Sequence, residues 1–286
     1  MELYNPLVIK AIRSKYGFQF SKSLGQNFLT DPGVINGIIE GADIGPNDLV
    51  IEIGPGIGVL TQAAAEAAKK VIAIEIDKNL IQILGDTLAA YDNVQVVNQN
   101  VLKTDLKKLI EEEPGEYESV KVIGNLPYYI TTAIIMKLLE DHVPCKSITI
   151  MMQREVAERI CSGPGNRIYG ALSVAVQYYS VVSEVMDVPK EKFMPMPKVD
   201  SAVLRLDLRE EPPVDLISEK MFFRVVKAGF GQRRKTLLNS LGASGYDKDR
   251  IRRALEHAGI DPARRAETLS LQEFADIAND FSKGDD

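Results

Sequence analysis

The run Asn125-Leu126-Pro127-Tyr128 combines hydrogen-bond acceptors with an aromatic ring at the end of an apolar stretch. The side-chain oxygen of Asn125 and the carbonyl of Leu126 can each accept one N–H of an exocyclic amino group, which directs the nitrogen lone pair. Pro127 has no N–H and a fixed φ, so it holds that carbonyl outward, and Tyr128 offers a face for stacking a base. The run predicts a site that positions a base amine. The simpler interpretation is a rigid turn between a strand and a helix, and Tyr129 is expected to be buried behind it.

A glycine-rich turn, EIGPGIGVLT at residues 52–61, follows the first strongly apolar stretch. Its glycines, Gly54, Gly56 and Gly58, do not match the dinucleotide fingerprint GxGxxG, because Val59 stands where the last glycine would be. Glycines at the carboxyl end of a strand let a ligand approach the backbone closely. We expect a ligand-binding loop here, although a glycine turn that serves only packing has the same pattern.

Two polar residues follow the next two strand-like stretches and complete a nucleoside pocket. The Glu75 carboxylate can accept hydrogen bonds from both hydroxyls of a ribose, and it would repel a 2′-phosphate. Asn100 places an amide where it can meet an adenine edge. Because the pattern offers no pyrophosphate cradle, it predicts S-adenosylmethionine rather than NAD as the cofactor, and methyl transfer to the amine held at Asn125.

The elements that must position these residues alternate between strand-like and helical patterns from residue 49 to 153. This alternation indicates an α/β fold with a doubly wound parallel sheet. Asn125 ends the fourth strand, so it shares the carboxyl edge of the sheet with Gly54, Glu75 and Asn100, where ligands of such sheets bind. Two later stretches, SEVMDV and SAVLRLDL, predict an additional pair of strands at the sheet's edge.

The chain changes character after residue 208, where a charged and proline-rich stretch precedes helical patterns. We therefore predict a methyltransferase domain at residues 1–208 and a small all-helical domain at 209–286. Between Lys220 and Arg265 there are 12 basic and 4 acidic residues in a chain of net charge −6. Such a concentration of positive charge favours binding to nucleic-acid phosphates; solvated helix faces are the alternative.

The composition, 45% hydrophobic and 26% charged, is typical of a soluble globular protein. No stretch approaches the roughly 18 apolar residues of a membrane span, and the N-terminus lacks a secretory signal. We expect a cytoplasmic protein without membrane contact. Two cysteines outside a CxxC motif and two histidines argue against a metal site. Nothing indicates an oligomer, so we expect a monomer.

Five motifs together resemble the KsgA/RsmA family of small-subunit (16S) ribosomal RNA adenine dimethyltransferases: SKSLGQNFLTD, EIGPGIGVLT, IEID, NLPYYIT and FMPMPKVDSAV. The resemblance extends over nearly the whole chain. It implies a class I (Rossmann-like) methyltransferase fold followed by a small helical domain. It also implies transfer of methyl groups from S-adenosylmethionine, leaving S-adenosylhomocysteine, to N6 of two adjacent adenosines in the 3′-terminal hairpin of the RNA, in an immature 30S particle.

The resemblance also implies roles for individual residues. The family's contacts to the methyl donor correspond here to Asn27, Leu29, Gly54, Glu75 and Asn125. Residues 125–128 match the base-positioning motif, and Phe193 matches an aromatic that sandwiches the target adenine opposite Tyr128. One position departs from the family, which usually has Asp where this chain has Asn100. An amide is neutral, so we expect the protein to bind the same methyl donor, S-adenosylmethionine, with a changed affinity.

The segment FGQRRKTLLNSL at 230–241 resembles the family's basic helix. Candidates for phosphate contacts are Arg233, Arg234 and Lys235, then Arg252, Arg253 and Lys22. Such contacts position an RNA without reading its sequence, and exposed solubilising charge is the alternative. A target base has to leave its stack to enter a pocket of this kind.

Three other functions stay open from the sequence. A macrolide-resistance methyltransferase modifies one adenine of large-subunit RNA with related motifs, but LGQNFL, NLPY rather than NIPY, and PKVDS favour the small-subunit enzyme. A non-catalytic assembly factor or RNA-binding protein would keep the fold without needing an intact NLPY run. A DNA adenine methyltransferase is disfavoured because no target-recognition domain is recognisable.

Overall fold

The computed structural model describes residues 1–21 and 24–283. The strands are β1 (Phe28–Leu29), β2 (Leu49–Ile53), β3 (Lys70–Glu75), β4 (Val94–Asn98), β5 (Val120–Asn125), β6 (Ser147–Gln153), β7 (Ser180–Val188), β8 (Phe193–Met194) and β9 (Ser201–Leu208). The α-helices are α1 (Pro6–Tyr16), α2 (Pro32–Gly41), α3 (Val59–Ala67), α4 (Lys78–Thr87), α5 (Leu106–Glu111), α6 (Thr131–Glu140), α7 (Arg154–Cys161), α8 (Ala171–Tyr179), α9 (Glu219–Phe230), α10 (Leu237–Ala243), α11 (Lys248–His257) and α12 (Leu271–Lys283).

In the described part of the chain, β2 to β7 and β9 form one seven-stranded sheet in the order β4-β3-β2-β5-β6-β9-β7. The strands β2 to β6 pair in parallel, and β9 runs antiparallel to β6. Every residue of β2 is buried, as expected of a strand covered on both faces. The predicted doubly wound sheet and the added pair of edge strands are confirmed. The strand order reverses between β2 and β5, which is the point where sheets of this kind bind ligands.

Local capping explains where several helices begin. The side chains of Asn5, Asp31 and Asp77 accept hydrogen bonds from backbone N–H groups in the first turns of α1, α2 and α4. By contrast, α3 begins at Gly58 without a side-chain cap, so its first N–H groups stay available beside the glycine loop. Among the described residues, no helix has both the length and the apolarity that crossing a membrane requires.

A buried ion pair holds β2 and β5 together at the amino edge of the sheet. The ammonium of Lys121 lies 3.0 Å from a carboxylate oxygen of Asp48, and both side chains are buried. Asp48 also accepts hydrogen bonds from the Ser119 hydroxyl at 2.6 Å and the Gly45 N–H at 2.7 Å. These bonds satisfy the buried charges beside the first paired residues of β2 and β5, Leu49 and Val120.

The chain divides into two compact units. The first contains residues 1–157 and 182–208, and the second contains 158–181 and the chain from 209 onward. The second unit therefore includes α8, which lies before the boundary predicted from the sequence. The rings of Tyr178 in α8 and Phe222 in α9 pack with centroids 5.2 Å apart, so α8 belongs to the core that the helices from 209 onward build.

Candidate active site

The carboxyl ends of β2, β3 and β5 border one cavity of about 300 Å³ in the first unit. Its wall includes these residues predicted from the sequence: Asn27, Leu29, Gly54, Gly56, Glu75, Asn100, Asn125, Leu126, Pro127 and Tyr128. The structure thus brings widely separated stretches of the chain together in one site. Within residues 1–21 and 24–283, no group of three or more His, Cys, Asp or Glu side chains is arranged to hold a metal ion.

The glycine loop requires glycine for conformation and for space. Gly54, Gly56 and Gly58 have φ values of +72°, +62° and +93°, a region that other residues rarely adopt. A Cβ atom on Gly56 would lie only 2.8 Å from a ring carbon of Phe28. The loop can therefore lie directly against β1, and this contact forms one side of the cavity.

Glu75 is a buried carboxylate at the end of β3, with 5% of its surface exposed. Its two oxygens accept hydrogen bonds from the Asp77 N–H at 2.8 Å and the Gly56 N–H at 3.3 Å. Burial nevertheless dominates and raises the pKa of Glu75 to about 7. Because a carboxylate oxygen has two lone pairs, each can accept a further hydrogen bond from a ligand hydroxyl.

Asn125 ends β5 with its side chain in a defined orientation. Its amide nitrogen Nδ2 donates to the backbone carbonyl of Asn27 at 2.9 Å. A carbonyl only accepts, so the nitrogen must lie on the Asn27 side and the oxygen Oδ1 on the other. No described residue donates a hydrogen bond to that oxygen, which is therefore available as the predicted acceptor.

The residues after Asn125 form a tight turn that leads into α6. The carbonyl of Pro127 accepts hydrogen bonds from the Ile130 N–H at 3.1 Å and the Thr131 hydroxyl at 3.0 Å. The half-buried ring of Tyr128 is anchored because its hydroxyl lies 2.7 Å from the Ser201 hydroxyl. Burial raises the pKa of Tyr128, so the ring stays neutral and provides a fixed wall for a base.

Asn100 uses its side-chain oxygen for local structure. This oxygen accepts from the N–H of Leu102 at 3.0 Å and caps the short helical turn Val101–Lys103. One lone pair of this oxygen stays available, and the amide nitrogen beside it is a donor. An adenine amino group at this position would therefore meet one acceptor next to a competing donor.

Two further aromatic residues considered in the sequence differ in their exposure. Phe193 is only 4% exposed and pairs with Leu29 through β1 and β8, outside the cavity wall formed by the described residues. Tyr129, expected to be buried, is instead 60% exposed and lines the cavity. In the NLPYY turn, Tyr128 is therefore the half-buried ring and Tyr129 the exposed one, while the buried ring of Phe28 lines the cavity beside the glycine loop.

Gln26, Glu52 and Ile76 are among the residues of the cavity wall that the sequence did not predict. Glu52 is fully buried, and burial raises its pKa to about 8; a lone carboxylate in the apolar strand LVIEI was the available signal. Gln26, in the motif LGQNFL, donates to a carboxylate oxygen of Asp77 at 2.9 Å. Ile76 is 50% exposed despite its apolar side chain, which only the structure reveals.

The candidate RNA-binding residues that the structure describes lie in the second unit. Arg233, Arg234 and Lys235 are exposed in the turn between α9 and α10, not on the helix expected from the sequence. The Arg233 guanidinium donates to the carbonyl of Arg167. Arg252 and Arg253 are exposed on α11, whereas Lys22 lies outside the described residues.

Comparison with known proteins gives one consistent result. The family model of ribosomal RNA adenine dimethylases matches residues 17–283. The chain is 54% identical over 282 residues to the ribosomal RNA small subunit methyltransferase A of Alkaliphilus oremlandii, covering 98% of both proteins. It is 50% identical to the protein of that name from Bacillus cytotoxicus, covering 97% of both.

Two solved structures share the fold over most of the chain. A dimethyladenosine transferase from Plasmodium falciparum has a TM-score of 0.74 at 27% identity, covering 90% of this chain and 98% of that one. The 23S rRNA methyltransferase ErmE has a TM-score of 0.67 at 29% identity, covering 89% and 99%. Both confirm the class I (Rossmann-like) methyltransferase fold. With the cavity, the NLPY turn and these matches in agreement, the chain belongs to the ribosomal RNA adenine dimethylase family.

Proposed function

We propose that this protein transfers methyl groups from S-adenosylmethionine to N6 of two adjacent adenosines in the 3′-terminal hairpin of small-subunit ribosomal RNA. The observation that carries the proposal is the orientation of Asn125, whose amide nitrogen is held by Asn27 so that its oxygen can accept from an amine. The names of the relatives with 50% identity or more support small-subunit RNA as the substrate.

The cavity has the features that a nucleoside needs. The Glu75 carboxylate can accept from ribose hydroxyls, and the half-exposed Ile76 offers an apolar surface to an adenine ring. The positive-φ glycines let a ligand approach the loop backbone. When bound, S-adenosylmethionine supplies an electrophilic methyl group; the residues of this chain bind it and align the acceptor.

The residues around the methyl acceptor act by orienting the adenine amine. The Asn125 side-chain oxygen and the Leu126 carbonyl accept hydrogen bonds from the two N–H groups of the adenine amine. These hydrogen bonds turn the nitrogen lone pair toward the methyl group. A nitrogen–carbon bond forms as the sulfur–carbon bond breaks, and the proton of the resulting ammonium passes to water. Tyr128 holds the plane of the base. No strong base is required, so catalysis consists of positioning and electrostatics.

The large-subunit alternative has weaker support, because the 23S rRNA methyltransferase ErmE is only 29% identical to this chain. We further propose that the substrate is an immature 30S particle, and that the protein acts on it as a cytoplasmic monomer. An intact NLPY run and cavity favour catalysis over a purely structural role in subunit assembly.

In the direct test, the protein is incubated with labelled S-adenosylmethionine and undermethylated small subunits. A parallel reaction contains protein-free large-subunit RNA instead of the subunits. Mass analysis then identifies the modified nucleoside. We expect N6,N6-dimethyladenosine at two adjacent positions of the small-subunit RNA. Label only in large-subunit RNA would replace the proposal with the resistance activity, and tight subunit binding without label would leave a binding factor.

Replacing Asn100 by Asp is expected to tighten binding of S-adenosylhomocysteine by about three- to tenfold, because the carboxylate adds an acceptor for the adenine amino group beside the one that caps Leu102. Isothermal titration calorimetry measures the change. Asn47→Asp adds the same charge at an exposed position at the opposite edge of the sheet and should leave the affinity unchanged. Equal or weaker binding by Asn100→Asp would remove Asn100 from the adenine site.

Replacing residues 233–235 by Gln is expected to weaken binding to the small subunit and to reduce the slope of log K against log salt by about two to three, since each phosphate contact contributes roughly 0.7–0.9. Filter binding between low and moderate salt measures the slope. The control replaces the exposed residues Lys107, Lys108 and Lys146 of the first unit and removes the same charge. If both variants change the slope equally, residues 233–235 are ordinary surface charges.

A further inference from the structure

Tyr129 is exceptional among the aromatic residues of this chain. The sequence contains 9 Phe, 10 Tyr and no Trp. Among the described residues, Tyr129 is the only one of these rings that is exposed, with 60% of its surface accessible. Aromatic rings are normally buried because they remove a large apolar area from water. This ring instead lines the mouth of the cavity, so its position calls for an explanation other than core packing.

The backbone that carries Tyr129 is fixed although its ring is open to solvent. The Ile130 N–H and the Thr131 hydroxyl both donate to the Pro127 carbonyl, which closes the turn around residue 129. On one side the turn is covered by Gly25, where a Cβ atom would lie 3.6 Å from the Tyr129 ring and 3.3 Å from Pro127. A ring on a rigid turn is a suitable platform for stacking, because little backbone ordering is needed on binding.

Tyr128 and Tyr129 place two consecutive rings at different depths. The Tyr128 ring is half-buried and anchored at Ser201, whereas the Tyr129 ring is exposed at the rim. A methyl donor and a base stacked on Tyr128 would lie inside the cavity, whereas the Tyr129 ring faces solvent at its rim. The nucleotide adjacent to the target, one backbone step from the base at Tyr128, would then lie at the level of Tyr129.

We propose that the Tyr129 ring stacks on the base adjacent to the target adenosine and holds it at the rim while its neighbour is methylated. The inference rests on the proposed function. Stacking on an aromatic ring uses the π-face that every base has, so Tyr129 positions the strand without reading its sequence. When the two adenosines exchange places, the base that leaves the cavity takes the position at Tyr129.

The test compares Tyr129→Ala, Tyr129→Phe and Tyr117→Ala. Tyr117, which precedes β5 at the amino edge of the sheet, is a control for loss of a ring away from the cavity. The RNA of undermethylated small subunits carries 2-aminopurine in place of one of the two adenosines of the 3′-terminal hairpin. This base lacks the N6 amine that the Asn125 site holds, so it favours the rim, and the absence of Trp from the chain keeps its fluorescence signal clear.

We expect the wild type, Tyr129→Phe and Tyr117→Ala to quench the 2-aminopurine fluorescence, and Tyr129→Ala to leave it unquenched. The KM for undermethylated subunits should rise roughly 5- to 150-fold in Tyr129→Ala, the range expected for one lost stacking interaction, with kcat and S-adenosylhomocysteine affinity within about twofold of wild type. Rescue by Phe shows that the ring, not the hydroxyl, is what matters.

Unchanged quenching and KM in Tyr129→Ala would overturn the proposal. Weakened binding of S-adenosylhomocysteine by Tyr129→Ala would also overturn it, since the ring would then cover the donor. Failure of the proposed function gives a different result, because the wild type would then methylate neither adenosine. Quenching that depends on Tyr129 in such a protein would still support stacking at the rim.

Discussion

Asn125→Ala is expected to lower kcat for methyl transfer by about 10²- to 10³-fold while leaving the fold intact. The substitution removes the oxygen that accepts one N–H of the target amine, and the loss of one preorganised polar contact has effects of this size. It also removes the hydrogen bond to the Asn27 carbonyl, which accounts for only about 1 kcal/mol of the free energy of unfolding. Single-turnover transfer to undermethylated subunits measures the chemical step, and thermal unfolding measures the stability.

Two further variants separate chemistry from stability. Asn125→Asp keeps an acceptor oxygen but loses the donor to Asn27, so we expect it to retain at least about tenfold more activity than Asn125→Ala. Asn93→Ala removes the side chain whose amide nitrogen bonds the carbonyls of Ala65 and Ala68 at 2.9 and 3.1 Å. It therefore loses comparable bonds away from the cavity and should keep a normal kcat. Near-normal turnover by Asn125→Ala would refute the assignment of the amine acceptor.

Binding of S-adenosylhomocysteine is expected to tighten about tenfold from pH 6 to pH 8 and then to level off, because burial raises the pKa of Glu75 to about 7. Below that pH the protonated carboxyl has one acceptor fewer for the ribose hydroxyls. The sign follows from burial: the pKa is raised above its unfolded value near 4.5, so the stability contributed by the neutral form is lost as the pH rises from about 4.5 to 7. Ligand hydroxyls bind the ionised form, so affinity increases as the pH rises through 7.

Glu75→Gln is expected to abolish this pH dependence and to weaken binding at pH 8 by about 10- to 100-fold, since charge-assisted hydrogen bonds contribute about 1.5–3 kcal/mol each. Titration calorimetry across the pH range measures both effects. Glu66→Gln is the matched control, because Glu66 accepts from the Tyr91 hydroxyl at 2.7 Å outside the cavity wall. Glu52, whose pKa is raised to about 8, is present in every variant, so its titration does not account for a difference between them. An unchanged pH profile in Glu75→Gln would assign the proton to another group.

The sequence predicts the sheet and the donor side of the cavity well because both follow from local periodicity. Strands that alternate with helices form a parallel sheet, and the residues after β2, β3 and β5 then meet at one edge. Gly54, Glu75 and Asn125 are found together for this reason. The identity of the ligand needed the resemblance in addition, since a glycine loop alone is shared by several classes of nucleotide-binding proteins.

The features that the sequence did not predict depend on contacts between distant parts of the chain. Phe193 is buried because β8 pairs with β1, a partner more than 160 residues earlier. In the same way, α8 packs into a core formed mainly by α9 to α12, which come much later in the chain. The exposure of Tyr129 depends on how the turn after Asn125 faces Gly25. Periodicity assigns residues to a strand or a helix but does not give the environment of a side chain in a turn.

The hydrogen bond between Asn125 and the segment before β1 uses the main-chain oxygen of residue 27. Every amino acid carries that oxygen, so point mutation at position 27 cannot delete this acceptor during evolution. An insertion or deletion between residues 24 and 28 would move it by about 3.3–3.6 Å and leave the asparagine amide without its partner. Natural variation should therefore preserve the length of this segment even where it changes the side chain at 27.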